Sequence, residues 1–149
     1  MSVAIEDLRS VRFLAPLKDR DLRRIAGRMS VRTVGAGEEL TTQGQGGIAF
    51  FILLDGEASV VVDDRELRTL GPGEHFGELA LVLPDLARTA TVRAKTDVRV
   101  GAMAAWNFRA FVDEHPEVVW PLLETIAERV ASTAQRVAAA PAQPGATDR

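Results

Sequence analysis

Apolar and polar residues are arranged in three different patterns along this chain, and each pattern predicts a different kind of structure. Over residues 4–29 the apolar positions recur at helical spacing, which predicts two short N-terminal helices. Their apolar residues are Leu8, Val11, Leu14, Leu22, Ile25, Ala26 and Met29. We expect Asp19 or Asp21 to cap the second helix, because aspartate is a preferred residue at a helix N-terminus.

The middle of the chain, residues 30–104, consists of short runs of β-branched and aromatic residues broken by glycine, proline and aspartate. Residues 50–54 and 58–62 flank the dipeptide Asp55-Gly56, which favours the type I′ turn of a β-hairpin. About eight short strands with regular turns are typical of a sandwich or jelly roll and not of a parallel sheet.

After residue 104 the helical spacing returns and predicts two helices within residues 105–137. Trp106, Phe108 and Phe111 of the first helix are available to the core. The second helix carries an apolar stripe that is either a face packed on the domain or a homodimer contact. This stripe consists of Val119, Leu122, Leu123, Ile126 and Val130.

These patterns predict an α+β fold that is mainly β, in one domain over residues 1–137. An eight-stranded antiparallel jelly-roll barrel lies between the N-terminal and the C-terminal helices, and one short helix interrupts its later strands. Residues 138–149 are rich in alanine, proline and glycine, so we expect a disordered tail.

Composition narrows the chemistry that such a domain can carry. The 149 residues suffice for one domain, and the absence of cysteine excludes disulfides, thiolate metal sites and cysteine nucleophiles. The two histidines, His75 and His115, stand far apart and make a poor metal set. A net charge of -3 argues against a nucleic-acid surface, and no apolar run is long enough for a signal peptide or a membrane span. We therefore expect a cytoplasmic protein that contacts neither nucleic acid nor a membrane directly.

The strand pattern fails at residues 77–83, and this failure marks the candidate site. The sequence ELAL favours a helical turn, and a helix that opens at Gly77 would direct backbone N–H groups and its dipole at an anion. Arg88 follows, and a guanidinium beside backbone N–H groups is a typical phosphate clamp. Glu78 would repel phosphate but can accept a hydrogen bond from a sugar hydroxyl. The segment therefore predicts a site for a phosphate joined closely to ribose, and not for a triphosphate, which needs a glycine-rich loop ending in Lys-Ser/Thr.

Each of these residues also has a purely structural interpretation. Gly77 can be a turn glycine, Glu78 an acid of a helix first turn, and Arg88 the partner of Glu78 or Asp85 in a salt bridge. His75 fits the rim of a site better than a ligand position. The two tryptophans, Trp106 and Trp120, fit core or interhelix packing better than stacking on a base.

The sequence FGELAL at residues 76–81, followed by RTATVRA at residues 88–94, resembles the phosphate-binding cassette of cyclic nucleotide-binding domains. These domains occur in regulatory subunits of cAMP-dependent kinase, in cyclic-nucleotide-gated channels and in the catabolite activator protein. The resemblance extends over roughly residues 8–130, because the glycines and strands at residues 37–40, 43–44, 50–57 and 70–73 also fall where the family carries them.

The resemblance implies a role for each residue at the sugar-phosphate end of the site. Gly77 and Glu78 would hold the ribose 2′-hydroxyl, and Leu79 and Ala80 would donate backbone N–H groups to the cyclic phosphate. Arg88 would pair with an exocyclic phosphate oxygen.

At the base end, the resemblance implies that Thr89 offers its N–H and hydroxyl near phosphate and base, with Ala90 next to it in the cassette. Arg129 is the candidate residue of a C-terminal lid helix that closes over the base. The candidates for an apolar wall beside the purine are Val60, Val62, Phe76 and Leu79.

The sequence departs from the family pattern in two places. Ala87 stands where many members have proline before the arginine, and the loop at residues 82–87 is one residue longer than in the kinase-type cassette. These departures favour one alternative, a scaffold or interaction module that keeps the fold without the ligand. A sugar- or phosphate-processing enzyme on a cupin-like barrel is a further alternative, and it would need a His/Glu metal cluster.

The resulting expectation is a regulatory sensor of cAMP or cGMP with no cofactor and no catalytic machinery of its own. The hydroxyl of Thr89 can donate to a syn guanine, yet bacterial members with Ser or Thr there commonly take cAMP, so cAMP is favoured. About 20 residues follow the matching region, too few for a helix-turn-helix domain. We therefore expect the effector to be another protein or domain, and the chain to be either a stand-alone regulator or an excised domain.

Overall fold

The computed structural model describes residues 2–83 and 85–139, and this part of the chain contains helices at both ends of a set of eight β-strands. The helices are α1 (Ile5–Arg9), α2 (Asp19–Gly27), α3 (Leu79–Val82), α4 (Ala105–Glu114) and α5 (Val119–Ala139), with short 3₁₀ turns at Arg12–Leu14 and Pro116–Val118. The strands are β1 (Ser30–Val34), β2 (Glu39–Thr41), β3 (Ala49–Asp55), β4 (Ala58–Val62), β5 (Arg65–Leu70), β6 (His75–Phe76), β7 (Thr91–Ala94) and β8 (Val98–Ala104).

The strands form two antiparallel four-stranded sheets. Sheet one has the order β1-β8-β3-β6, and sheet two has the order β2-β7-β4-β5. The predicted mainly β fold is confirmed, with its strands divided between two sheets rather than hydrogen-bonded into one closed barrel. Sheet two and the segment that follows β6 form the part of the fold that carries the candidate site.

The predicted hairpin between β3 and β4 is wrong, because the two strands belong to different sheets. Gly56 has a φ of 88°, but Asp55 does not have a positive φ, so the type I′ requirement is not met. A side chain at Gly56 would collide with the backbone oxygen of Asp97, which shows how closely this crossover packs. The hairpin with positive φ at both central residues instead joins β4 to β5, through Asp63 at 50° and Asp64 at 63°.

The core has two parts, and β3 separates them. Phe50, Ile52 and Leu54 pack on the helices, while Phe51 and Leu53 pack between the two sheets. Successive side chains of a strand point to opposite faces, so a strand buried on both faces must be apolar throughout. This burial explains the uninterrupted apolar run that the sequence shows at residues 50–54.

Two expectations about the helices are corrected. Lys18, and neither Asp19 nor Asp21, occupies the N-cap of α2, and the two aspartates lie in its first turn, where the helix dipole favours acids. α5 continues to Ala139 and so includes the first two residues of the predicted tail. The rest of that tail, residues 140–149, lies outside the described residues.

The two tryptophans lie on the surface and not in the core, so that prediction is wrong. Trp106 is 62% exposed and Trp120 is 74% exposed. α4 buries Ala105, Phe108 and Phe111, which recur every three residues and form one face, and Trp106 falls outside that face. Among residues 2–83 and 85–139, the helices lack the combination of length and apolar character that a membrane crossing requires.

Candidate functional site

A cavity of about 630 Å³ lies between sheet two, the segment 76–90 and α5. Every residue that the sequence predicts for a ligand site contributes to its wall: Val60, Val62, Phe76, Gly77, Glu78, Leu79, Ala80, Arg88, Thr89, Ala90 and Arg129. Segments that are distant in sequence therefore converge on one cavity. Whether these residues hold a ligand stays a prediction.

Gly77 brings the chain out of β6 and into the cavity wall. Its φ of 87° lies in the left-handed region that favours glycine, and an added Cβ would stand 2.6 Å from the carbonyl oxygen of Ala49. The short helix α3 begins at Leu79 and not at Gly77, with Glu78 at the N-cap position. The Glu78 side chain makes no cap hydrogen bond, so its carboxylate is free to interact across the cavity.

Arg88 lies in the loop before β7, and its guanidinium packs between two glycines. A Cβ added at Gly47 would lie 2.5 to 2.9 Å from three atoms of the Arg88 side chain. A Cβ added at Gly77 would lie 3.2 Å from Nη1 of the same side chain. Nη2 donates to the carbonyl oxygen of Ala49 at 2.8 Å. Among the described residues the other guanidinium N–H groups have no hydrogen-bond partner. The salt bridge with Glu78 or Asp85 that the sequence left open is therefore not formed.

The backbone of Arg88 is fixed as well as its side chain. Its N–H donates to the carbonyl oxygen of Gln45 at 2.8 Å, and its own carbonyl oxygen accepts from the N–H of Gly44 at 2.8 Å. Burial lowers the pKa of the Arg88 guanidinium, and the Glu78 carboxylate opposes that shift. The side chain thus faces the cavity although Ala87 replaces the proline that many members of the family carry before this arginine.

Glu78 is held from two sides. Its Oε1 accepts a hydrogen bond from Nη1 of Arg129 at 2.9 Å, and its side chain is 11% exposed. Its Oε2 lies 3.5 Å from Nδ1 of His75. Burial acts to raise the pKa of the Glu78 carboxyl, but His75 and then Arg129 outweigh it, so the pKa lies below its ordinary value.

His75 is buried beneath the site, so the prediction that it lies at the rim is wrong. Only 2% of it is exposed, and its ring meets Phe13 edge-on at 5.1 Å and stacks on Phe50 at 5.5 Å. Neither ring nitrogen has a hydrogen-bond partner among the described residues, and the 3.5 Å approach of Nδ1 to Oε2 of Glu78 is the nearest polar contact given for the ring. His75 therefore supports Glu78 from the core and does not line the cavity.

α5 crosses the cavity and is fixed there by Arg68 as well as by Arg129. Nη2 of Arg68, on β5, donates to Oγ1 of Thr133 at 2.8 Å and approaches the carbonyl oxygen of Arg129 at 3.5 Å. Burial lowers the pKa of the Arg68 guanidinium, and the positive charges of Arg129 and Arg136 lower it further. No pattern in the sequence pointed to Arg68, because an arginine in an alternating strand is typical of a surface position.

The cavity wall is mainly apolar away from its ionic groups. Thr89 is exposed and Ala90 is part-buried in a bend, and β7 begins after them at Thr91. The carbonyl oxygen of Ala90 accepts a hydrogen bond from Oγ1 of Thr41 at 3.2 Å, which ties the bend to β2. Lining residues that the sequence did not assign to the site include Leu86 and the α5 residues Ile126, Val130 and Ala134.

No group of three or more His, Cys, Asp or Glu side chains is placed to hold a metal ion within residues 2–83 and 85–139. The ionic groups at the cavity are Glu78, Arg88, Arg68 and Arg129. Their chemistry suits a ligand that combines hydroxyl donors with a negative charge.

Comparison with known proteins identifies the family. The model of the cyclic nucleotide-binding domain matches residues 31–115. The cAMP-dependent protein kinase regulatory subunit of Emericella nidulans is 36% identical over 104 residues, which cover 68% of this chain and 25% of that protein. The chain thus spans about a quarter of the length of the curated relatives it matches.

Solved structures share the fold, and two of them illustrate the likeness. The cAMP-bound structure of PfPKA-R superposes with a TM-score of 0.79 at 25% identity, covering 88% of this chain and 45% of that one. The regulatory subunit of a cAMP-independent protein kinase A from Trypanosoma brucei superposes with a TM-score of 0.72 at 28% identity, covering 81% of this chain and 45% of that one. The family match covers more than half of the chain, and the chain belongs to the cyclic nucleotide-binding domain family.

Proposed function

We propose that this domain binds a cyclic nucleotide as a regulatory ligand, favours cAMP over cGMP, and transmits binding through α5 without catalysing a reaction. The observation that carries the proposal is the convergence of Glu78 and Arg88 on one largely apolar cavity. A carboxylate that accepts from hydroxyls and a guanidinium with unused donors match a ribose joined to a phosphate.

The cyclic phosphate lies at Arg88. The guanidinium is already positioned by Gly47, Gly77 and the carbonyl oxygen of Ala49, so little side-chain entropy is lost when it binds. Its partial burial lowers the local dielectric and strengthens a charged hydrogen bond to a phosphate oxygen.

The ribose 2′-hydroxyl lies at Glu78 and replaces the contact that Arg129 makes there. The carboxylate is ionised at neutral pH, since its pKa lies below the ordinary value, and it is acceptor-only in that state. Arg129 leaves Glu78 when the hydroxyl arrives and becomes available to the base. This exchange is the step that makes α5 a lid that responds to the ligand.

The base lies against the apolar wall formed by Val60, Val62, Phe76 and Leu79. Adenine is favoured because this wall offers few polar partners, and guanine would leave more of its polar edge unpaired. The Emericella nidulans relative and the structure of PfPKA-R are both named for cAMP, which supports the same choice. Thr89 is the residue on which a guanine would depend.

Titration calorimetry with cAMP and cGMP tests the proposal on the wild-type chain and two variants. Arg88→Ala removes a charged hydrogen bond of about 1.5–3 kcal/mol, so we expect roughly 10- to 150-fold weaker binding. Arg93→Ala is the control, because Arg93 lies on β7 and pairs with Glu39 on the surface. Wild-type affinity in Arg88→Ala would refute the assignment of the phosphate site.

A scaffold that keeps the fold without the ligand is the second candidate. The cAMP-independent kinase subunit of Trypanosoma brucei shares the fold, so the fold alone does not guarantee a cAMP site. The same calorimetry separates the two functions. Neither heat of binding nor a thermal shift with either nucleotide at millimolar concentration would favour the scaffold.

A further inference from the structure

His75 places two polar atoms inside an aromatic cluster. Its ring meets Phe13 edge-on and stacks on Phe50, and both of those rings also contact Phe108. A phenylalanine at this position would complete the cluster without any polar atom. The two ring nitrogens of His75 are instead buried and unpaired in the part of the chain that the structure describes, and burying a polar group without a hydrogen bond costs free energy. Packing alone therefore does not account for a histidine here.

The ring of His75 faces one ionic group, the carboxylate of Glu78. Nδ1 lies 3.5 Å from Oε2, and the Glu78 side chain is 11% exposed. The other carboxylate oxygen, Oε1, accepts a hydrogen bond from Nη1 of Arg129 at 2.9 Å. The carboxylate thus lies between an arginine of α5 on the cavity side and a histidine on the core side.

The other charged groups on the elements around His75 are directed elsewhere. Arg12, in the 3₁₀ turn that packs on the ring, is exposed and pairs with acids of α5. Asp55, the acid of β3, pairs with Arg99. Glu74 precedes the histidine and accepts from a backbone N–H three residues earlier. Of the side chains described by the structure, Glu78 alone lies within ion-pair distance of the ring.

The charge balance at Glu78 changes when a nucleotide binds; this step rests on the proposed function, in which a ribose hydroxyl replaces Arg129 at the carboxylate. A hydroxyl brings no charge, so Glu78 exchanges a cationic partner for a neutral one. The cyclic phosphate adds a negative charge to the same cavity, where Arg88 pairs with it. A buried carboxylate that loses its cation is strongly destabilised unless another cation replaces it.

We propose that His75 takes up a proton when a cyclic nucleotide displaces Arg129 from Glu78, so that nucleotide binding is linked to pH. Histidine is the residue whose charge changes between about pH 5 and 8. The proton comes from the solvent, and the protonated ring supplies from the core the positive charge that Arg129 had supplied from the cavity. His75 is a positioning residue, because it acts through Glu78 and does not touch the nucleotide.

The sign of the linkage follows from the number of bound protons. The complex holds up to one proton more than the free protein, so affinity is highest at low pH and falls as the pH rises. Uptake of one full proton changes the dissociation constant about tenfold per pH unit, and partial uptake changes it less. The cyclic phosphodiester and adenine keep their charge over this range, so the nucleotide itself does not contribute.

Titration calorimetry with cAMP measures the proton uptake, because buffers with different heats of ionisation then give different apparent binding enthalpies. For the wild-type chain we expect a measurable fraction of a proton per nucleotide, and a dissociation constant that rises severalfold between about pH 6 and pH 8. Equal enthalpies in the two buffers across this range would overturn the inference and leave the proposed function intact. Absence of binding to cAMP and to cGMP would refute the proposed function and this inference with it.

The two histidines of the chain provide a matched pair of variants. His75→Gln keeps a polar side chain but cannot take up a proton, so we expect equal enthalpies in the two buffers and an affinity that no longer varies with pH. His115→Gln removes the histidine at the end of α4, which lies near Asp21 and Glu117, and it should keep the wild-type proton uptake. Proton uptake that persists in a folded His75→Gln variant would overturn the proposal.

Proton NMR supplies a measurement that needs no substitution in the core. An untagged chain has two histidine rings, and His115→Gln assigns their signals by removing one. Near neutral pH we expect addition of cAMP to move the His75 ring signal to the position of the protonated ring, while the His115 signal stays in place. A His75 signal that keeps the same titration curve with and without bound cAMP would overturn the proposal.

Discussion

Gly47→Ala is the substitution that most directly tests how Arg88 is positioned. Gly47 makes no polar contact with the cavity, yet its Cα is the surface on which the Arg88 guanidinium rests. An added Cβ would stand 2.5 Å from Nε, 2.7 Å from Nη2 and 2.9 Å from Cζ of Arg88. Ordinary contacts of a Cβ begin at 3.4 Å, so the guanidinium must move by about 1 Å.

The expected loss follows from what that movement breaks. Nη2 of Arg88 donates to the carbonyl oxygen of Ala49 at 2.8 Å, and a displacement of about 1 Å stretches this bond beyond hydrogen-bond length. The guanidinium then no longer points where a phosphate oxygen would lie. Loss of one charged hydrogen bond costs about 1.5–3 kcal/mol, so we expect nucleotide affinity to fall roughly 10- to 150-fold.

Calorimetry and a thermal melt, performed together, give a sharp result because the chain offers a matched control. Gly46→Ala changes the neighbouring residue, and a Cβ there meets nothing within 4 Å. We expect Gly46→Ala to bind like the wild type, and both variants to melt within a few degrees of it, because the Arg88 side chain is part-exposed and can move. Tight binding by a folded Gly47→Ala variant would refute the reasoning.

Two further substitutions test Gly77 and Glu78, which precede α3 in the cavity wall. Gly77→Ala forces an alanine to a φ of 87° and places its Cβ 2.6 Å from a backbone oxygen. Gly37→Ala is the control, because Gly37 has a φ of 90° and open space around it, so it should lose only the roughly 1–2 kcal/mol expected for positive φ alone. Chemical denaturation should show a larger loss in the free energy of unfolding for Gly77→Ala than for Gly37→Ala. An equal loss in the two variants would contradict the close packing. Glu78 has a folded-state pKa below its ordinary value of 4.5, so its stabilisation is present above that pH and disappears as the pH falls through the lowered value. Melting curves of Glu78→Gln should therefore lose less stability below about pH 4.5 than those of the wild type or of Glu57→Gln, and parallel curves would contradict this.

The sequence predicted the elements of the fold well where local pattern and tertiary packing agree. The helix α4 lies within the helical region predicted after residue 104, and it buries Phe108 and Phe111, which the sequence offered to the core. The doubly buried strand β3 is likewise evident from its uninterrupted apolar run. These elements are specified by residues within each segment, so a single sequence suffices to locate them.

Strand pairing was not predictable in the same way. Asp55-Gly56 is a strong local hairpin signal, but the chain changes sheets there because Gly56 packs on the backbone of Asp97. The turn that does form a hairpin, Asp63-Asp64, uses two aspartates at positive φ, which local preference ranks below Asn-Gly or Asp-Gly. The competing contacts come from a strand forty residues later, which no local rule can include.

The site shows the same division between local and distant contributions. The cassette residues were identified because they lie in one segment whose pattern departs from a strand. Gly47, Ala49 and Arg68 were missed because they act from other strands and loops, where each is an ordinary residue for its element. The glycine pair at residues 46–47 was the one feature of the sequence that could have indicated a close approach to the backbone. The two glycines differ only in the structure, where the Arg88 guanidinium packs on Gly47 and nothing lies within 4 Å of a Cβ added at Gly46.

The two faces of α5 suggest how occupancy of the cavity can reach the surface. The inner face of α5 is fixed by two contacts, Arg129 with Glu78 and Thr133 with Arg68. A ligand that binds Glu78 removes the first contact and can supply a new one to Arg129. It therefore changes the free energy of the α5 position only by the difference between those two interactions. The same helix carries the exposed side chains of Trp120 and Val137, and any such shift moves them as well. A change at the cavity can therefore reach this surface without a pathway through the sheets, because one helix carries both the cavity contacts and the exposed side chains.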